Sequence, residues 1–246
     1  MDATPGARRE AEARRSPPAD PLKALSAAAL AGVIAGLYLA LIYAPTDTLQ
    51  GEVQRIFYLH LAAFGGAFVG FGCAVIGGIA YLRSRRPGWD MLAHAGVEVG
   101  LALAAINVLT GAIYARPIVN SWWTWDPKLT AVTIMALTYT AYLMLRHSVE
   151  SPERRRVFAS VYGVLAFATV LNTFMVIRLR PDTLHEAMFG PGASSFAMPA
   201  PMQTALLVNV AVWSGLVAPA LIVWRLRLER SAQTCKRLHL EMIAGN

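Results

Sequence analysis

Six apolar runs of membrane-crossing length constrain this chain more than any other feature. They extend over about Leu22–Tyr43, Phe57–Leu82, Met91–Tyr114, Leu129–Leu145, Val157–Ile177 and Thr204–Trp224. A hydrocarbon core of about 30 Å takes roughly 20 helical residues to cross, and each run reaches or approaches that length. Backbone amides in lipid have no water to bond, so the runs are expected to be helices. The expected fold is all-α: a polytopic membrane protein, one six-transmembrane-helix bundle over residues 21–228. A disordered tail at 1–20 and a C-terminal tail at 229–246 are expected to flank it. Composition agrees, since only 15% of residues are charged where a soluble domain carries about 25%.

Orientation follows from lysine and arginine. Arg8, Arg9, Arg14, Arg15 and Lys23 precede or open the first run; Arg83, Arg85 and Arg86 follow the second. Arg146, Arg154, Arg155 and Arg156 flank the next even-numbered connection, and Arg225, Arg227, Arg230, Lys236 and Arg237 follow the last run. The other side keeps Arg55, Arg116, Lys128, Arg178 and Arg180. The positive-inside rule places both N- and C-termini in the cytoplasm and the connections after runs one, three and five outside. The net charge of +7 is thus a topology signal, with no nucleic acid implied. The first run is longer than the core of a signal peptide and reads as an uncleaved anchor. Cys73 lies within a span and Cys235 in the C-terminal tail, so no disulfide joins them. No C-x-x-C-H occurs, which argues against covalent haem attachment through that motif.

The outward segments concentrate the chemistry. Trp122, Trp123 and Trp125 lie within four residues, followed by Asp126, Pro127 and Lys128. Indoles gather at membrane interfaces as belts, and clustered indoles also offer an apolar wall to a flat ligand such as a porphyrin. Both readings stand on the residues alone. Asp126 at N-cap and Pro127 at the first helical position are suited to start the fourth span. His60 and His185 sit near the outer boundary, while His94, His147 and His239 belong to the other side. Two imidazoles can hold one haem iron from opposite faces, although each is equally an ordinary interfacial histidine. Arg55, Arg116, Lys128, Arg178 and Arg180 supply outer cations suited to carboxylates. The third outer segment runs from near Arg178 through Pro201, and its Met188, Phe189, Phe196 and Met198 suggest that it lies on the membrane surface. Glu98 has His94 four residues before it, which favours a local pair. Asn107, sharing a face with Gly111 and Tyr114, is expected to bond another helix. Glycine pairs at Gly32/Gly36, Gly66/Gly70 and Gly96/Gly100 mark close helix contacts.

Trp122-Trp123-Thr124-Trp125-Asp126-Pro127-Lys128-Leu129-Thr130 resembles the tryptophan-rich W-x-W-D-x-R-L-T signature of haem-handling proteins of cytochrome c biogenesis. Arg55-Ile56-Phe57-Tyr58-Leu59-His60 is similar to the start of their second span, and Thr183-Leu184-His185 to the T-L-H before their last. Length, span number and the outward tryptophan loop point to the CcmC type, the haem exporter family, over roughly residues 22–228. The resemblance implies haem b at the outer, periplasmic face of a bacterial inner membrane. It makes His60 and His185 the axial ligands and Trp122, Trp123 and Trp125 the platform. Arg55 and Lys128 become propionate partners, and Asp126 shapes the loop. It further implies work with an ABC-transporter pair (CcmA and CcmB) and a small subunit (CcmD), and delivery to the haem chaperone CcmE, without catalysis by this chain. Lys128 stands where the family has arginine; Val119 and Asn120 where Trp and Gly are common; Arg180 and Pro181 near a usual Trp pair; the stretch after His60 lacks the usual Pro and Trp. A CcsA-type cytochrome c synthase, an electron-transfer cytochrome b and a transporter subunit without haem are the rival readings. The first two want histidines within the membrane.

Overall fold

The computed structural model describes residues 20–180, 182–185 and 198–244. The disordered tail expected at the N-terminus, apart from Asp20, lies outside the described residues, as does most of the third outer segment, 186–197. Among the described residues six helices are long and apolar enough to cross a membrane. α1 (Pro21–Tyr38) passes into a π turn (Leu39–Tyr43). α2 (Arg55–Ser84) follows a 3₁₀ turn at Glu52–Gln54; then come α3 (Pro87–Val119), α4 (Pro127–Ser148) and α5 (Pro152–Leu179). α6 (Ala200–Val212) continues through a second π turn (Trp213–Val217) into α7 (Ala218–Ala244). Among the described residues the fold is all helix and connection.

Prolines mark the starts. α1, α3, α4, α5 and α6 each carry one in the first two positions, where a missing N–H costs nothing. Asp20, Asp126 and Ser151 cap α1, α4 and α5 through their side chains. α2 and α3 end on left-handed residues, Arg85 (φ 56°) and Asn120 (φ 53°). α3 runs five residues beyond the expected Tyr114, through Pro117 to Val119. Pro117 has no N–H to give the carbonyl of Ile113 four residues before it, and the helix stops two residues later. Arg116 then donates to the Asn120 carbonyl at 2.8 Å, so this cation closes its own helix. The last helix likewise continues past residue 228 to Ala244, where a tail was expected.

α2 is central and packs against α3, α5, α6 and α7, most extensively against α3. The α2–α3 seam brings backbones together: a Cβ on Gly70 would lie 2.7 Å from both Cα and N of Gly100. Phe71 stacks on Tyr139 at 4.0 Å in the core beside this seam. Gly32 and Gly36 of α1 admit Val212 and Asn209, and Asn209 Nδ2 donates to the Gly36 carbonyl at 3.0 Å.

The arginine-rich end is tied by ion pairs. Buried Arg146 of α4 forms a bidentate pair with buried Asp90 of α3, at 2.6 and 3.0 Å. Glu98 reaches across to Arg225 of α7 at 2.5 Å, with His94 at 3.6 Å, so the local pair expected for Glu98 is part of a larger clasp. Asp20 bonds Arg227, whose guanidinium, with the Leu22 amide, pulls its carboxyl down to about 2. This contact is therefore present above the ordinary carboxylate range and is lost only as pH falls towards 2.

The glycine seam is open to direct test. Gly70→Ala is expected to lower the midpoint of thermal unfolding in detergent, because its methyl meets backbone at 2.7 Å; overpacking of this kind costs about 1–3 kcal/mol. Gly72→Ala, with nothing within 4 Å, is expected to leave the midpoint unchanged or slightly raised. Equal midpoints for the two variants would mean that α2 and α3 do not touch through their backbones.

Candidate functional site

At the opposite end from the ion pairs, α2, α3, α4 and α5 splay around a cavity of about 670 Å³. That volume lies within the range of small-molecule and cofactor sites. Phe57, Phe64, Phe174, Trp122 and Trp123 give it aromatic walls, and His60, His185, Lys128 and Arg178 bring polar groups to the same space. Tyr114 of α3 donates to Gln50 at 2.5 Å and so joins the first outer connection to this rim.

His60 is mounted between helices. The Asn107 backbone carbonyl lies 2.8 Å from His60 Nδ1, and a carbonyl can only accept. Nδ1 therefore carries the proton and donates, which leaves the lone pair on Nε2. The Asn107 side-chain amide donates in return to the His60 carbonyl at 2.8 Å and also stands 3.2 Å from Nδ1 and 3.4 Å from Nε2. The expected interhelical bond of Asn107 is present, and its partner is the residue that bears the candidate imidazole.

His185 is mounted differently. Its Nδ1 lies 3.0 Å from Asp126 Oδ2, again the geometry of a donating Nδ1–H with the lone pair on Nε2. The same Oδ2 accepts from the Thr183 hydroxyl at 2.7 Å and from the Leu184 amide at 3.0 Å. Asp126 Oδ1 accepts from the Leu129 amide at 2.8 Å and caps α4. Burial pushes the Asp126 carboxyl up, but the Leu129 amide, the Thr183 hydroxyl and the His185 ring outweigh it and hold the group below the ordinary carboxylate range. One carboxylate thus caps the start of α4 with one oxygen and docks the connection after α5 with the other.

The remaining residues divide. Trp122 and Trp123 line the cavity; Trp125 does not, is 72% exposed, and sets its ring edge-on to Trp123 at 5.8 Å. Lys128 Nζ donates to the Thr173 carbonyl at 2.5 Å and lies 4.9 Å from the Phe64 ring centre. Arg55 is not among the lining residues. It pairs with Glu52 at 2.5 Å and donates to the carbonyls of Ala40 and Ala44 at 2.8 and 3.0 Å, pinning the π turn of α1 onto α2. Arg180 pairs with Asp182 through two bonds, at 2.8 and 2.7 Å. Phe64 and Phe174 were not singled out in the sequence, and Thr183 entered only as part of the Thr183-Leu184-His185 motif. Only the four-residue spacing of Phe64 from His60 hinted at the first.

A family profile described as "CcmC: Heme exporter protein C" matches residues 15–240. The chain belongs to that family. Relatives named Heme exporter protein C include that of Bradyrhizobium diazoefficiens, 32% identical over 166 residues, 66% of this chain and 61% of the relative. That of Haemophilus influenzae is 29% identical over 167 residues, 68% of this chain and 66% of the relative. That of Escherichia coli K12 is 26% identical over 133 residues, 53% and 52% respectively. The chain thus spans roughly half to two thirds of the length of these heme exporter protein C relatives.

Asparagine has one acceptor oxygen, so at position 126 it can serve the helix cap or the third connection but not both. Asp126→Asn is expected to speed hydrogen exchange at the amide of either Leu129 or Leu184. Asp126→Ala should speed both and lose a further ~1 kcal/mol with the cap. Unchanged exchange at both amides in Asp126→Ala would show that the carboxylate does not join the two segments.

Proposed function

We propose that this chain handles haem in cytochrome c maturation, holding haem b in the cavity between the imidazoles of His60 and His185. The observation that carries the reading is that both rings line one cavity, each with Nδ1 against a fixed acceptor, the arrangement that puts the lone pair on Nε2. Histidines that ligate metals almost always donate their other N–H in this way, to a carbonyl or a carboxylate. Two such imidazoles suit an iron that brings its own equatorial ligands. The aromatic lining suits a porphyrin, and membership of the heme exporter protein C family points the same way.

In this reading Trp122 and Trp123 cover the macrocycle and exclude water, with Trp125 bracing Trp123. Lys128 and Arg178 are the cations for the propionates. Thr173 takes one of the three ammonium N–H groups of Lys128, and two remain for a carboxylate. Arg55, committed to Glu52 and two carbonyls, holds the frame of the site. The side chain of His185 is 35% exposed, and it sits on a connection rather than on a helix. It is therefore the imidazole that a recipient's ligand displaces. The arginine-rich end faces the cytoplasm and the cavity faces the periplasm of a bacterial inner membrane. The partners are an ABC-transporter pair of the CcmA and CcmB type, a small CcmD-type subunit and a CcmE-type chaperone that receives the haem. The chain presents its cargo and makes or breaks no covalent bond.

The test is an absorption spectrum of the protein purified in detergent after co-expression with these partners, beside His60→Ala and His185→Ala. The expected result is a low-spin Soret band in the wild type that is weakened or shifted in each variant. A wild-type protein free of haem under those conditions would overturn the reading.

A further inference from the structure

Asn107 and Gly111 lie one helical turn apart on α3, and both meet the His60 ring of α2. A Cβ built on Gly111 would fall 2.8 Å from His60 Cε1 and 3.1 Å from Nδ1, with Nε2 the next nearest atom at 3.8 Å. All three contacts are with the imidazole, so the space that glycine leaves here is occupied by the ring. Glycine is a poor residue for a helix interior, because it has the most backbone freedom to lose on folding. Asn107 adds two bonds in opposite directions: its backbone carbonyl accepts from the ring, and its side chain donates to the carbonyl of His60 itself. A contact serving helix association alone needs only the second bond. The Thr110 hydroxyl donates to the Ile106 carbonyl at 2.7 Å, and its oxygen, 3.4 Å from Nδ1, is a longer contact than the Asn107 carbonyl at 2.8 Å.

We infer that Asn107 and Gly111 are positioning residues for His60. Together they form a seat on α3 that sets the depth and plane of the imidazole and the tautomer with its lone pair on Nε2, which the Asn107 amide approaches to 3.4 Å. The use of that nitrogen rests on the haem reading above; the seat itself does not. Without the seat, the ring could turn its protonated nitrogen towards the cavity. Iron would then meet an N–H instead of a lone pair.

Two measurements on the full-length protein test this. The first needs no haem. Gly111→Ala is expected to lower Tm of the haem-free protein by roughly 2–10 °C, as for an overpacked core site in a domain of this size. In a His60→Ala background the same substitution is expected to leave Tm unchanged or raise it, because the three nearest neighbours of the new methyl are gone. An equal fall in both backgrounds would overturn the seat. The second uses the haem-loaded protein. Gly111→Ala and Asn107→Ala should each convert part of the low-spin spectrum to high-spin, and millimolar imidazole should restore it. A variant that loses stability but keeps the wild-type spectrum would overturn the positioning role. A haem-free wild type would sink the haem reading while the Tm cycle still decided the seat.

Discussion

The backbone contact between α2 and α3 governs the rest of the molecule. Gly70, Gly96 and Gly100 have no side chains to hold the helices apart, and the two backbones touch. His60 lies ten residues from Gly70 along α2, and Gly111 lies eleven from Gly100 along antiparallel α3. At 1.5 Å per residue these are about 15 and 16.5 Å, so the imidazole and its seat fall at matching heights on the same seam. Any change that parted the helices at the glycines would loosen the histidine three turns away.

Lipid offers polar atoms no partners, and the chain answers by giving single residues two structural duties. Asn107 bonds the ring and the backbone of one residue. Asp126 caps α4 and secures His185. Arg55 satisfies a carboxylate and two carbonyls at the end of α1. The two imidazoles consequently have unequal mounts: a buried carbonyl between helices for one, an anionic carboxylate between connections for the other.

Much of the fold was legible because it follows from local rules. Hydropathy located every span, and Asp126-Pro127 located the start of α4, since capping depends only on neighbouring residues. Helix ends were less legible. The third run was expected to end near Tyr114 but α3 reaches Val119, and the charged stretch after residue 228 looked like tail although it continues α7. The site divided along the same line. His60, His185, Trp122, Trp123 and Lys128 were named from motifs, and the fold brings them to one cavity. Which group Arg55 or Asn107 would bond was beyond the sequence. That depends on the rotation and separation of whole helices, which no local pattern encodes. The buried Asp90–Arg146 pair was invisible for the same reason.

The extension of α7 illustrates one more consequence of building from spans. Residues 231–243 are exposed throughout, and the last ties to the bundle are made by Arg225, Arg227, Glu229 and Gln233. A segment this short would be marginal as a free peptide in water, because forming the first helical turn is strongly unfavourable. Here that first turn already exists inside the bundle, so each further residue adds only a propagation step near equilibrium. Such a helix has no melting transition of its own: it frays from Ala244 inward, residue by residue, and its length is set by temperature and sequence rather than by packing.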